Sequence, residues 1–173
     1  MRAITGPITH LSLLLPLFVG GCATAPLTQD RFPALDKDQG IAAVVFDTSA
    51  VITGVSLQSS GGQGQDLFIS SVPRGRSLYL FVTPAGEYCL HKIHIDSELF
   101  TNATPDQCFE VIAGGMSYGG EFHPSVSPQV SGRAAGTVRA IPVNHTQDAK
   151  GFLALLKSSY PHILAAIEAA PEN

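Results

Sequence analysis

Residues 78–82 read Leu78-Tyr79-Leu80-Phe81-Val82, and the predicted fold is organised around this apolar stretch. Because apolar side chains stand at both alternating sets of positions, the stretch predicts a central strand that is covered on both faces. A turn follows over residues 83–86, where Pro84 presets the backbone at the second turn position. A further strand is predicted over residues 87–95, because side chains there divide into two alternating faces.

Short strands separated by turn sequences recur on both sides of this stretch. The other predicted strands lie at residues 41–47, 51–57, 67–72, 107–112, 116–122 and 136–143. The chain's 17 glycines and 12 prolines fit so many turns. Residues 67–72 and 76–82 are predicted to form a hairpin through the turn between them. The predicted fold class is mainly β, an antiparallel β-sandwich of about seven or eight strands.

The hydrophobic period changes after residue 144. Apolar side chains recur at steps of three and four residues through Ala149, Phe152, Leu153, Leu156, Tyr160, Ile163, Leu164 and Ile167. This pattern predicts a C-terminal amphipathic α-helix, kinked or broken near Pro161 and capped by Thr146 or Asp148. We expect the helix to cover one face of the sandwich. The alternatives are an element that docks in a partner's groove and one that forms a dimer contact.

The N-terminal residues have the features of an export signal. Arg2 supplies a positive start, and residues 8–19 are largely apolar but too short to span a membrane comfortably. The segment ends in Val19-Gly20-Gly21-Cys22, which resembles the lipobox of bacterial lipoproteins. Residues 1–21 are therefore interpreted as a lipoprotein signal peptide. The alternative is an ordinary secretory signal followed by an incidental cysteine.

The lipobox resemblance implies a lipid on Cys22, whose several acyl chains would hold the protein stably on a membrane. Residue 23 is alanine and not aspartate. By the enterobacterial sorting pattern, this favours the outer membrane, with the protein facing the periplasm. Residues 22–39 contain many polar residues and prolines and few large apolar ones. They are predicted to form a flexible tether that follows the lipidated cysteine. The alternative is that Phe32 and Leu35 dock on the domain.

Export also bears on the remaining cysteines, because the chain would fold in an oxidising compartment. Once Cys22 is acylated, two thiols remain, Cys89 and Cys108. We expect them to form a disulfide bond. In the chain-entropy estimate, a bond that closes a loop of this length stabilises the folded protein by about 3 kcal/mol. The alternative is a pair of buried free thiols.

A second resemblance lies within residues 81–120. The pattern is Phe81-Val82-x-Pro84-Ala85-Gly86-Glu87-Tyr88, followed by Cys108-Phe109-x-Val111-x-Ala113-Gly114-x-x-x-Tyr118-x-Gly120. It resembles small bacterial lipoproteins that carry uncharacterised transthyretin-like or carboxypeptidase-regulatory-like β-sandwich domains. The resemblance implies a sandwich fold and an envelope setting, and no catalytic residues. We expect a β-sandwich domain at residues 40–143 and a helical segment packed on it at residues 144–173.

Charge and motif content argue against several functions. The net charge of −4 is opposite to the basic footprint of a nucleic-acid-binding protein. His91 and His94 are three apart in a predicted strand, so they point to opposite faces and cannot readily share a metal ion. Gly115-x-Ser117-x-Gly119 has the glycine spacing of a serine-hydrolase elbow, but strand residues follow where a helix should begin. We predict no catalytic, cofactor-binding or metal-binding residues.

The sequence thus favours a non-enzymatic lipoprotein that binds the membrane through Cys22 and meets a protein partner of the envelope. A second hypothesis is an accessory subunit of an envelope assembly or transport machine, in which the helix or the connection at residues 123–135 docks. A third hypothesis, an enzyme, is a serine hydrolase that uses Ser117. No pattern in the sequence indicates an oligomeric state.

Overall fold

A computed structural model describes residues 23–61, 65–95, 98–102, 107–125 and 138–170. These residues form three layers: a six-stranded sheet, a four-stranded sheet packed against it, and a pair of C-terminal helices on the other face of the four-stranded sheet. The predicted fold class, a mainly β sandwich with a helical C-terminus, is confirmed. The predicted signal peptide and lipidation site at Cys22 lie outside the described residues.

The described part of the chain contains ten strands and two helices. The four-stranded sheet consists of β1 (Gln39–Thr48), β4 (Gly75–Pro84), β8 (Met116–Pro124) and β10 (Val143–Thr146). The six-stranded sheet consists of β2 (Gly54–Ser59), β3 (Leu67–Ile69), β5 (Gly86–Ile95), β6 (Glu98–Asn102), β7 (Cys108–Val111) and β9 (Val138–Ile141). The helices are α1 (Ala149–Ser159) and α2 (Pro161–Glu168), so of the two predicted alternatives near Pro161, a kink or a break, the structure has the break.

Strand order is β10-β8-β1-β4 in the four-stranded sheet and β3-β2-β5-β6-β9 in the six-stranded sheet, where β7 also pairs with β5. Most pairs are antiparallel, as predicted, but β1–β8 and β6–β9 are parallel. Each parallel pair is joined by chain that passes through the opposite sheet, which supplies the long crossover that parallel strands need. There are more strands than predicted. Residues 98–102, which no predicted strand included, form β6, and the stretch predicted as one strand at residues 136–143 contains β9 and the start of β10. Strand β10 extends past the domain boundary expected at residue 143.

Strand β1 lies in the middle layer and is covered on both faces. Its central residues are fully buried, with Ile41, Ala43 and Val45 facing the helices and Ala42, Val44 and Phe46 facing the six-stranded sheet. Its partner β4 is the last strand of the same sheet, and Leu80 and Phe81 are buried on its opposite faces. The prediction that residues 78–82 are covered on both faces is therefore confirmed. The prediction of a central strand is wrong, because β4 lies at the edge of its sheet.

The predicted hairpin between residues 67–72 and 76–82 is wrong. Strand β3 pairs with β2 in the six-stranded sheet, whereas β4 pairs with β1 in the other sheet. In β3 the side chains of Leu67 and Ile69 are buried and that of Phe68 is exposed. A strand with one apolar face suits an outer layer, and a strand with two apolar faces suits the middle layer. The chain therefore crosses between the sheets where a hairpin was expected.

A β-bulge interrupts the alternation predicted for residues 87–95. Leu90 and Ile93 are both buried, three residues apart. Two successive residues of β2 pair with Leu90 and Lys92, which leaves His91 as the extra residue on β5. The two faces predicted for this strand therefore hold only on each side of the bulge.

Residues 23–38, here called the strap, lie across the edge of the sandwich. The backbone N–H of Thr24 donates to Asp66 O at 2.8 Å, and Phe68 N donates to Thr24 O at 2.9 Å. Three residues later, Leu27 N donates to a carbonyl of β4 at 2.7 Å. The strap therefore joins the end strand of one sheet to the end strand of the other.

The strap also holds the helices. The carboxylate of Asp30 accepts hydrogen bonds from the backbone N–H groups of His162 and Ile163 at 3.0 to 3.1 Å, so it caps the start of α2. Phe32 and Leu35 pack into the core between the helices and the four-stranded sheet. The strap is thus bound to all three layers of the protein.

This arrangement corrects the prediction of a flexible tether at residues 22–39, which is wrong for the described residues of the strap. The composition resembled a linker because only a few of the residues are large and apolar. Those few, Leu27, Phe32 and Leu35, enter the core, and the polar Asp30 satisfies helix N–H groups. A few apolar side chains in a polar segment can hold that segment on the domain when each of them packs against the core.

Both helices cover the four-stranded sheet as predicted, chiefly through Phe152, Leu156 and Ile163. Of the two predicted caps, the structure uses Asp148, whose side chain accepts a hydrogen bond from Gly151 N at 3.0 Å. Neither described helix combines the length and apolarity that crossing a membrane requires.

Candidate functional site

Charged and polar side chains gather on the helix-facing side of the four-stranded sheet, where α1 begins. This charged cluster consists of Asp47, Arg76, Glu121, His123, Thr146 and Asp148. Strand register brings its members together, since Asp47 pairs with Arg76 and Glu121 pairs with Thr146. The cluster is the candidate site because closely spaced ionisable groups are a common feature of functional sites.

A β-bulge in β8 places Glu121 in the charged cluster. The register between β8 and β1 shifts between Ala43 and Val45. At the bulge, Gly120 has φ +94°, which lies in the region that favours glycine. A side chain at this position would also overlap the ring of His145. Glycine is therefore required at this turn of the strand.

The strongest contact in the charged cluster joins Arg76 to Glu121. Arg76 Nε donates to one carboxylate oxygen at 2.8 Å and Nη2 donates to the other at 2.5 Å. The carboxylate is almost fully buried, with Glu121 4% exposed. Hydrogen bonding to Glu121, against the opposing effect of burial, raises the pKa of the Arg76 guanidinium above its ordinary value. Such a two-point ion pair satisfies the buried charge of the carboxylate.

Arg76 connects the sheet to the start of α1 through Asp148. Its Nη2 lies 3.1 Å from Asp148 Oδ2, while Asp148 Oδ1 accepts from Gly151 N at 3.0 Å. The Gly151 N–H and, to a smaller extent, the guanidinium lower the pKa of the Asp148 carboxyl. A side chain on Gly151 would overlap both Asp148 and the guanidinium. Glycine at residue 151 therefore leaves room for the helix cap and the ion pair.

His123 lies between the carboxylates of Asp47 and Glu121. Its Nδ1 is 3.7 Å from Asp47 Oδ2 and its Nε2 is 3.8 Å from Glu121 Oε1. The same Nε2 is 3.2 Å from Thr146 Oγ1, close enough for a hydrogen bond. The imidazole therefore joins strands β8 and β10 to the end of β1.

Imidazole and carboxylate groups at this spacing are also metal-ligand types. The ligand atoms of Asp47, Glu121 and His123 lie within 4.8 Å of one another. Both oxygens of Glu121 already accept hydrogen bonds from Arg76, whose positive charge opposes a cation at the same carboxylate. The arrangement is best suited to fixing α1 on the sheet.

Sequence reasoning missed this cluster as a unit. Of its members, the sequence pattern singled out only Thr146 and Asp148, and only as alternative caps of the helix. One signal was present in the sequence: Glu121 is the single charged residue of the predicted strand at residues 116–122. A carboxylate at such a position indicates a buried partner.

Ser117, the candidate nucleophile, lies within β8 and is 8% exposed. Its hydroxyl accepts a hydrogen bond from Ile112 N at 2.9 Å. The glycine spacing around it therefore sits in a strand and not at a strand-to-helix turn. The next residue, Tyr118, stacks on Phe152 with ring centroids 4.3 Å apart, and burial raises the pKa of its phenol. The Ser117 hydroxyl and the Tyr118 ring are therefore both engaged in contacts that hold the fold together.

Cys89 and Cys108 form a disulfide bond, which confirms that prediction. The two residues are direct partners in the β5–β7 ladder, with Cα atoms 4.0 Å apart. Glu87 lies close enough to complete a metal-ligand group with the two sulfurs, but these are bonded to each other. The bond fixes the register of β7 on β5.

Two solved structures resemble the chain weakly. No family model and no curated protein matches it. An NMR structure of a protein from Eubacterium rectale is similar over 68% of this chain and 98% of its own, with 13% identity and a TM-score of 0.36. A crystal structure of a leucine-rich repeat protein from Bacteroides thetaiotaomicron is similar over 69% of this chain but only 16% of its own length, with 10% identity and a TM-score of 0.35. Likenesses of this size carry no argument about function.

Proposed function

We propose that this protein is a lipid-anchored, non-catalytic protein of the bacterial cell envelope. Cys22 carries the lipid in the outer membrane, and the sandwich faces the periplasm as a binding or structural module. The observation that carries this proposal is the disulfide between Cys89 and Cys108. Such bonds persist in oxidising compartments, the setting that the lipobox resemblance implies for an exported chain.

The contacts of the charged cluster support the non-catalytic part of the proposal. The buried carboxylate of Glu121 is satisfied by Arg76, and Asp148 is occupied as a helix cap. Ser117 Oγ already accepts a backbone hydrogen bond in the middle of a sheet. These groups hold the helices and strands together, which is the role of a scaffold that presents its surface to a partner.

Replacing Cys22 with alanine is expected to abolish incorporation of radiolabelled palmitate, because the substitution removes the thiol that receives the lipid. Labelling is measured in growing cells and normalised to the amount of protein on an immunoblot. The control is Cys89→Ala/Cys108→Ala, which lacks both other cysteines and should still be labelled. Palmitate that persists on the Cys22→Ala variant would contradict the anchor.

A fluorophosphonate probe is expected to leave the folded protein unlabelled, because Ser117 Oγ is buried and accepts a hydrogen bond. Labelling is read as fluorescence on a denaturing gel, with a known serine hydrolase as the positive control. Ser117→Ala is compared with Ser125→Ala, a change at an exposed serine beyond the end of β8. Robust labelling that is lost only in Ser117→Ala would show that the protein is a serine hydrolase.

A further inference from the structure

The strap fixes how far the domain can lie from a lipid on Cys22, an inference that rests on the anchor proposed above. Cys22 precedes Thr24 by two residues. In any conformation their Cα atoms are at most about 7 Å apart, since an extended chain gains roughly 3.3–3.6 Å per residue. Whatever holds Thr24 therefore also sets the position of the lipid.

Thr24 is held on the domain at three points. Its N–H donates to Asp66 O at 2.8 Å, its carbonyl accepts from Phe68 N at 2.9 Å, and its hydroxyl donates to Gln65 Oε1 at 2.9 Å. Leu67, which lies between Asp66 and Phe68, is fully buried. A flexible tether over residues 22–39 would instead reach roughly 20–25 Å. Because the strap is bound to the domain, the lipid cannot move that far from it. The edge of the sandwich that contains β3 is therefore held close to the membrane.

The surface beside Thr24 carries groups that suit a phospholipid layer. Phe68 is 38% exposed, and its neighbours in β3 point into the core, so its ring lies on the outer face of the six-stranded sheet. Lys92 lies on the same face, because Phe68 and Lys92 both pair with Ser56 of β2. A ring of this kind fits the interfacial region of a bilayer, and an ammonium group fits lipid phosphate.

Long-range attraction would not produce this contact by itself. The chain has a net charge of −4, which gives no general attraction to anionic lipids. The covalent anchor and the docked strap supply the proximity instead, as in an intramolecular contact with a short linker.

We infer that the outer face of the six-stranded sheet around Phe68 and Lys92 rests on the phospholipid headgroups of the membrane that holds Cys22. The helix layer then faces away from the lipid. Leu153 of α1, 51% exposed, lies on that far side. Since neighbouring layers of a sandwich pack about 10 Å apart, the two surfaces are separated by at least about 20 Å.

Tryptophan fluorescence can test this orientation, because the chain contains no tryptophan. Phe68→Trp and Leu153→Trp each place a single probe at an exposed apolar position. The acylated full-length variants are reconstituted into phosphatidylcholine vesicles with and without brominated acyl chains. We expect brominated lipid to remove about half of the emission of the Phe68→Trp variant, since a ring at the interface meets the quencher, and to leave Leu153→Trp nearly unchanged.

A spacer provides the matched control. A flexible Gly-Ser segment of about 16 residues, inserted between Ala23 and Thr24 of the Phe68→Trp variant, keeps the lipid and the strap contacts but restores the reach. We expect its quenching to fall to the level of Leu153→Trp. Quenching that is equal at both positions, or that survives the spacer, overturns the orientation. Flotation of the vesicles tests the anchor separately: a protein that fails to float contradicts the lipid anchor, whereas one that floats unquenched contradicts only the orientation.

Discussion

Replacing Arg76 with methionine lowers the free energy of unfolding by about 2–3 kcal/mol. The substitution leaves the carboxylate of Glu121 buried without the cation that donates to both of its oxygens. Methionine retains an aliphatic stem, which limits the loss of packing. The cost stays below the largest values for buried pairs because the Arg76 side chain is 31% exposed, so water can reach the site. Urea unfolding followed by circular dichroism measures the difference.

The double variant Arg76→Met/Glu121→Met is the matched control. Removing both partners leaves no unpaired buried charge, so it should recover most of the stability that the single variant loses. An Arg76→Met protein within about 0.5 kcal/mol of the unchanged protein, the range of ordinary surface substitutions, would contradict the role given to the ion pair. So would a double variant that is less stable than either single one.

Removing the disulfide through Cys89→Ala/Cys108→Ala is expected to cost about 3 kcal/mol. The bond closes a loop with a sequence separation of 19, and its loss gives the unfolded chain more conformations. The folded ladder between β5 and β7 keeps its backbone pairing, so the effect acts mainly on the unfolded state. Equilibrium unfolding of the oxidised protein and of the variant measures the cost.

A reducing agent provides an independent control for the disulfide. It should lower the stability of the unchanged protein by a similar amount and leave the double variant unaffected, because the variant has no bond to break. A variant as stable as the oxidised protein, or one that still responds to reductant, would show that the bond does not stabilise the domain. The two outcomes are distinguishable on the same set of unfolding curves.

The layers of the fold were predictable because they follow from local periodicity. Apolar residues on both faces at 78–82 require a covered strand, and steps of three and four at Phe152 and Leu156 require an amphipathic helix. The pairing of strands was not predictable in the same way, since it depends on which layer offers a covered position. That choice separates β3 from β4, although a turn sequence joins them.

The charged cluster and the strap depend on contacts between distant parts of the chain. Arg76 and Glu121 are 45 residues apart, and Asp30 meets His162 across 132 residues. Each of these residues taken alone resembles an ordinary solvated charge. The disulfide was predictable because the predicted lipidation of Cys22 left only two cysteines, a constraint that does not depend on contact geometry.

The position of β1 has a kinetic consequence. It is the first strand of the described chain, yet its parallel partner β8 begins with Met116, the residue opposite Ile41. The strap, which precedes β1, completes its contacts later still, because Asp30 can cap α2 only once that helix is present. Contacts at such separations slow folding, because the chain must close long loops before it gains stability. We therefore expect the domain to remain unfolded until almost its whole length is available, which leaves a long interval in which a chaperone can bind it.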